Sequence, residues 1–327
     1  PAVTSSCVDQ GDGSYTLQWQ GKVSGVFDAS LKVNGQHVRG SPMKIRLVST
    51  RVHIPATIIE GAGLREAIAG EQATIKLKVF DEFGNPSNPG PRWQVGVSIS
   101  SLKKKLSELP AHPNFSVTWG PPNSGEFFLT YSAETAGYTE LYLWVQPDAS
   151  LDDASNTRAR EALPGTPVTL HVTAGPPDAL NSYCDSWTLA ESKNKAATAS
   201  NKKATVQKDK VEEQVSEGAA STITAGDVVS VRANGVDQFG NAALMNEAQL
   251  SAKIRMPNGH DQVIELVKKG VGNRAQGDAA NAGLSTMYEL RHETSSSGPH
   301  QMHVLLNGEP IKASPVEFEV RSATPLA

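Results

Sequence analysis

Asp81-Glu82-Phe83-Gly84-Asn85, entered from the apolar run Ile75-Lys76-Leu77-Lys78-Val79, returns 156 residues on as Asp237-Gln238-Phe239-Gly240-Asn241, entered from Val228-Val229-Ser230-Val231. Asp and Asn favour turns by bonding the nearby backbone, and Gly supplies positive φ. A strand closed by one turn, repeated at domain-sized spacing, marks a repeated structural unit. A second motif brackets the first. Asn34-Gly35-Gln36-His37-Val38-Arg39-Gly40-Ser41-Pro42 reappears as Asn307-Gly308-Glu309-Pro310-Ile311-Lys312-Ala313-Ser314-Pro315, with a degenerate copy at Gly165-Thr166-Pro167. Each copy closes one apolar strand and opens another, such as Met43–Val48 or Val316–Val320. Asn-Gly suits a tight hairpin, and Pro is tolerated at a strand start or edge.

Between these motifs the side chains alternate with the period of a strand. Tyr15, Leu17 and Trp19 share a face that reads as half-buried; Trp93, Val95, Val97 and Ile99 share another, and Phe115, Val117 and Trp119 a third. Helical periodicity is almost absent, and 28 Gly and 20 Pro punctuate the chain in turn-like clusters. The fold class expected is all-β, with tandem sandwiches.

Strand, Asp-x-Phe-Gly-Asn, four more strands, a glycine opening the penultimate strand and Asn-Gly…Ser-Pro before the last resembles the filamin-type immunoglobulin repeat. The resemblance divides the chain into 1–50, the back half of a repeat; 51–176, a complete one; and 177–327, another with an insertion. Two positions depart from the family pattern: Thr139 replaces an expected aromatic, and His300 stands where Phe27 stands in the first copy. Residues 191–219 carry six lysines against five acids and few apolar side chains, so they read as a solvated insertion with at most a short helix over 206–215. Residues 146–164 read as an extended connection between the last two strands of the middle repeat.

Composition narrows the function classes. The 327 residues carry a formal net charge of -4, which lacks the basic footprint of a nucleic-acid binder. No run of ~18 apolar residues provides a membrane segment. The first residues have no initiator Met and no leader pattern, from which the chain is expected to be a piece of a longer protein. Cys7 and Cys184 are too few for a disulfide framework, which leans towards a reducing compartment. Asn114-Phe115-Ser116 is the one glycosylation sequon, about what chance supplies.

No nucleophile elbow, zinc-protease helix or phosphate-binding loop can be read, so no enzyme activity, cofactor or metal is expected. Gly61-Ala62-Gly63 lacks the third glycine of a dinucleotide fingerprint and reads as a turn. His300 and His303 point to opposite faces of a strand, with His300 a hydrogen-bonded residue on the core side. Asp81 and Asp237 fall short of the ~6–8 oxygens calcium takes and read as turn residues. Lys103-Lys104-Lys105 reads as a solvated loop. Tyr138, Tyr142 and Trp144 fall on the outer face of their strand, to be covered by a neighbouring repeat, the 146–164 connection or a partner.

The family resemblance implies a non-enzymatic scaffold that binds protein partners by strand addition, a guest peptide pairing with the third strand of a repeat and lying against the fourth. In the middle repeat Gly96, Ser98 and Ser100 would face the guest from the third strand, and Ser116 and Thr118 from the fourth. In the last repeat Ser251, Lys253 and Arg255 would favour an acidic peptide. The first home expected is cytoplasmic and cytoskeletal, with actin reached only indirectly or through domains absent here. The alternatives are a cell-surface adhesion ectodomain and the docking region of a ciliary or axonemal subunit.

Overall fold

The computed structural model describes residues 3–88, 93–146, 160–190, 222–273 and 284–322. The insertion expected at 191–219, with its helix, and most of the 146–164 connection lie outside the described residues. The chain forms two units: Pro1–Ala133 with Tyr138–Val172, and Glu134–Gly137 with Thr173–Ala327. Residues 1–50 thus belong to the first unit together with the sandwich that follows them.

The first unit opens with three two-stranded pieces: β1 (Val3–Asp9) on β2 (Tyr15–Gly21), β3 (Gly25–Ala29) on β6 (Met43–Leu47), and β4 (Lys32–Val33) on β5 (Gln36–His37). Tyr15, Leu17 and Trp19 share a face as the alternation requires, but all three are exposed. The half-buried face expected there is corrected: β1 and β2 form a sheet of only two strands.

The middle sandwich is made of β7 (Ile58–Glu60), β8 (Glu66–Ile68), β9 (Gln72–Lys78), β10 (Gln94–Ser100), β11 (Phe115–Trp119), β12 (Glu126–Ser132), β13 (Gly137–Gln146), β14 (Glu161–Ala162) and β15 (Val168–Thr173). One sheet runs β10-β13-β15-β8, with β14 on β13, and the other runs β11-β12-β9-β7. Ile75, Leu77, Val97, Phe127, Leu129, Leu141, Leu143 and Leu170 meet between them. At a period of two, every second residue of each strand reaches this layer, which is why the alternating runs fold as sheets.

The second unit is built from β16 (Tyr183–Ala190), β17 (Thr222–Thr224), β18 (Val228–Asn234), β19 (Leu250–Arg255), β20 (Asp261–Val263), β21 (Glu265–Asn273), β22 (Leu284–Glu293), β23 (Gly298–Leu306), β24 (Glu309–Pro310) and β25 (Val316–Arg321). Its sheets are β16-β18-β22-β21 and β17-β25-β23-β19-β20, with β24 on β23, around Val229, Val231, Ile254, Leu290, Met302, Val304 and Phe318. The Asn-Gly copies take the expected left-handed turn, with φ 50° and 82° at Asn34 and Gly35 and 52° and 89° at Asn307 and Gly308. The serine before each proline has a task the motif alone did not reveal. Ser41 Oγ accepts the Leu31 N–H at 2.7 Å, and Ser314 Oγ the Val304 N–H at 2.9 Å.

Candidate functional site

The outer face of β10 and β13 is where the sequence places most of its candidate residues. Val95, Val97, Leu141, Leu143 and Val145 point into the core, so Gly96, Ser98, Tyr142 and Trp144 point away from it. That outward layer is nevertheless buried. Gly96 stands opposite Trp144 in the register, and the indole lies so close that a Cβ at Gly96 would sit 2.2 Å from a ring carbon. Trp144 donates Nε1–H to Ser98 Oγ, and Ser98 donates its hydroxyl to the Pro110 carbonyl at 2.6 Å. Over the indole lies the Arg160 guanidinium, 4.1 Å from the ring centroid, donating also to the Leu109 carbonyl at 2.6 Å. The Tyr142 hydroxyl accepts the Lys104 N–H at 3.2 Å. Ser98 is 0% exposed.

The open third-strand face expected at Gly96 and Ser98 is therefore corrected. The 101–110 segment lies on it, so small residues there serve the close approach of Trp144 and of the chain's own loop. Ser100, half-buried, accepts the Leu102 N–H and donates to its carbonyl, again locally. The aromatic trio splits. Tyr142 and Trp144 are buried under the loop, whereas Tyr138 is 71% exposed and stacks on His171 at 4.6 Å between centroids. The 146–164 connection, one of the covers expected from the sequence, supplies Arg160 over Trp144; sequence reasoning missed Pro110 and Lys104 as the rest of the cover. A glycine facing a tryptophan across a strand pair was the signal available for it.

The edges differ as well. β10 ends its sheet, but its Val97 carbonyl is taken by the His112 N–H at 2.7 Å. β11 ends the other sheet with its edge open among the described residues. Ser132 donates its N–H to the Asn114 carbonyl, and Gly120 to Glu126. This fixes the phase: the main-chain groups of Ser116 and Thr118 turn to β12, and those of Phe115, Val117 and Trp119 turn outward. The side chains of Ser116 and Thr118 are exposed, and Trp119 is 51% exposed.

In the second unit β20 pairs with β19, the strand carrying Ser251, Lys253 and Arg255. Asp261 on β20 accepts Arg255 Nε at 2.8 Å and Lys253 Nζ at 3.2 Å. Those hydrogen bonds, Arg255 first, pull the Asp261 carboxyl down to about 2. The acidic guest expected on this face is thus supplied by the chain's own aspartate.

His300 is buried on the core side, stacked on Phe318 at 5.4 Å, with Nδ1 3.0 Å from the Gly298 carbonyl. Asp81 has its oxygens engaged by N–H donors. Burial alone would raise its carboxyl; hydrogen bonds from the Asn85 side chain and from the Thr50, Asn85 and Phe83 amides hold it below the usual carboxylate range. Among the described residues no three His, Cys, Asp or Glu side chains converge to hold a metal ion.

No protein family and no curated protein sequence matches the chain. Among solved structures, FdeC, an adhesin of Escherichia coli, aligns with TM-score 0.51 and 17% identity over 98% of this chain and 82% of that one. Invasin, a bacterial integrin-binding protein, aligns at 0.41 and 14% over 98% and 52%. The Lin-41 filamin domain aligns at 0.26 and 14% over 45% and 98%. The fold is that of immunoglobulin-like β-sandwiches in tandem.

Proposed function

We propose that the chain is a non-enzymatic adhesion module of a cell-surface protein, built of immunoglobulin-like repeats that bind an extended segment of a protein partner at an open sheet edge. The observation that carries the reading is the correspondence in fold, over nearly the whole chain, with FdeC, itself an adhesin. It supports the adhesion ectodomain over the cytoskeletal scaffold and the axonemal subunit, and the cell surface over the cytoplasm. Fold and function are separable, so the site must carry its own argument.

The guest strand belongs on β11 rather than on β10. The third strand is masked by residues 101–110 and His112, whereas β11 offers outward main-chain groups at Phe115, Val117 and Trp119 beside the small side chains of Ser116 and Thr118. A partner strand would take its affinity from those groups and its side-chain contact from Trp119. Beads coated with the purified chain should retain cells, and Ser116→Lys with Thr118→Lys should abolish retention while leaving the melting temperature in place. Retention unchanged by both lysines would remove β11 as the site; no retention by the unaltered chain would remove the adhesion reading.

A further inference from the structure

The two Asp-x-Phe-Gly-Asn turns do more than close their strands. In the first unit Asp81 Oδ1 accepts the N–H groups of Phe83 at 2.9 Å and Asn85 at 2.8 Å, which makes the turn itself. Its Oδ2 accepts the Thr50 N–H at 3.0 Å, from the stretch of chain leading into the sandwich, and orients the Asn85 carboxamide at 2.9 Å. The carboxamide then reaches out of the turn. Asn85 Nδ2 donates to the Lys22 carbonyl at 2.8 Å, and its Oδ1 accepts the Ser24 N–H at 2.9 Å.

The second turn makes the same bonds within the second unit. Asp237 accepts Phe239 and Asn241 through Oδ1 and the Gly175 N–H through Oδ2, at 2.9, 2.8 and 2.9 Å. Asn241 Nδ2 donates to the Glu134 carbonyl at 2.7 Å and its Oδ1 accepts the Ala136 N–H at 2.9 Å. The gripped sequences, Lys22-Val23-Ser24-Gly25 and Glu134-Thr135-Ala136-Gly137, share only the glycine that opens a strand, with φ 152° and 123°. What is recognised is therefore the main chain: one carbonyl and the N–H two residues on, matched to a side chain that carries both N–H donors and an acceptor, its second N–H held by the aspartate. Asparagine meets that demand; aspartate lacks the donor.

We propose that the Asp-x-Phe-Gly-Asn turn is a clasp by which a repeat holds the chain ahead of it, the aspartate on the connecting stretch and the asparagine on the loop before the penultimate-strand glycine. This stands apart from the adhesion reading and survives its failure. The last repeat carries the same loop as Ser295-Ser296-Ser297-Gly298, with Gly298 at φ 116°. Ser295 and Ser297 are exposed, and the Ser297 N–H meets no acceptor among the described residues. It is the unclasped form of the loop within the same molecule.

Amide hydrogen exchange on the full chain, resolved by residue, tests the clasp. The Ser24 and Ala136 amides should exchange at least about tenfold more slowly than Ser297. Asn85→Ala should release Ser24 and leave Ala136 protected; Asn241→Ala should do the reverse; strands β9, β12, β18 and β22 should keep their rates in both. Ser24 and Ala136 exchanging as fast as Ser297 in the unaltered chain would overturn the clasp. So would continued protection of each amide after its asparagine is removed. The comparison within the unaltered chain needs no variant and decides alone if the variants fail to fold.

Discussion

Trp144 donates its indole Nε1–H to Ser98 Oγ at 3.1 Å, on the side of the sheet that faces away from the core. The pair turns an outer face into a second buried layer, closed by Pro110 and Arg160. Function read from exposed small residues on β10 therefore gives way to stability read from the same residues.

Ser98→Ala is expected to cost about 1–3 kcal/mol, because the Trp144 N–H and the Pro110 carbonyl each lose a partner in a buried setting. Ser98→Glu should cost more, since a carboxylate would enter a site with 0% exposure already filled by the indole and the loop. Urea unfolding midpoints check both. An unshifted midpoint for Ser98→Glu would mean that the 101–110 segment does not cover the strand.

Arg160→Ala should loosen that segment. It removes the guanidinium from the Trp144 ring and from the Leu109 carbonyl, worth about 1–2 kcal/mol together in a partly desolvated setting. The exposed Lys103-Lys104-Lys105 run then becomes a reporter. Cleavage there by a lysine-specific protease should accelerate several-fold in the variant, and equal rates would exclude Arg160 as the fastener.

Acid should weaken the second unit. Burial, and then the neighbouring His300 with its ring 6.3 Å away, hold the His292 imidazole below its ordinary value, against the opposing pull of Glu293. A histidine whose folded value is depressed binds its proton more readily when unfolded. Its stabilising contribution is thus complete above about pH 6.5 and falls as pH drops from there towards the folded value. The urea midpoint of the second unit should fall between pH 7.5 and pH 5.5, and His292→Gln should flatten that decline. A variant with the same pH slope as the unaltered chain would assign the effect to another group.

If the chain is displayed at the cell surface as proposed, the exposed Asn114 of Asn114-Phe115-Ser116 lies at the foot of the open β11 edge, where an oligosaccharyltransferase can reach it. Chain secreted from a eukaryotic host should lose mobility on gels by one glycan, restored by Asn114→Gln. Identical migration of the two would show that the sequon is not used.

Much of the fold was legible because its determinants are local. Alternation at a period of two marks the strands around Val97, Leu129 and Leu143, and Asn-Gly, Asp-x-Phe-Gly-Asn and Ser-Pro mark where they stop, through φ preferences and side-chain bonds spanning a few residues. The candidate site was legible only by half. Alternation put Ser98, Tyr142 and Trp144 on the face opposite the core, and they are there; that the aromatics need a cover was legible too, but not that residues 101–110 lie over Ser98.

The sequence by itself determined an all-β chain of repeated immunoglobulin-like sandwiches, and which side of each strand is apolar. Only the tertiary structure decided which outer faces and edges remain open. Gly96 receives Trp144 through a strand register, Arg160 comes from a separate strand connection, and Asn85 grips Lys22 across 63 residues. Such partners are chosen by where distant segments come to lie once the cores have formed, so no local pattern encodes them. The same physics left β11 open while β10 was closed: both strands alternate alike, and only the path of the 101–114 chain distinguishes them.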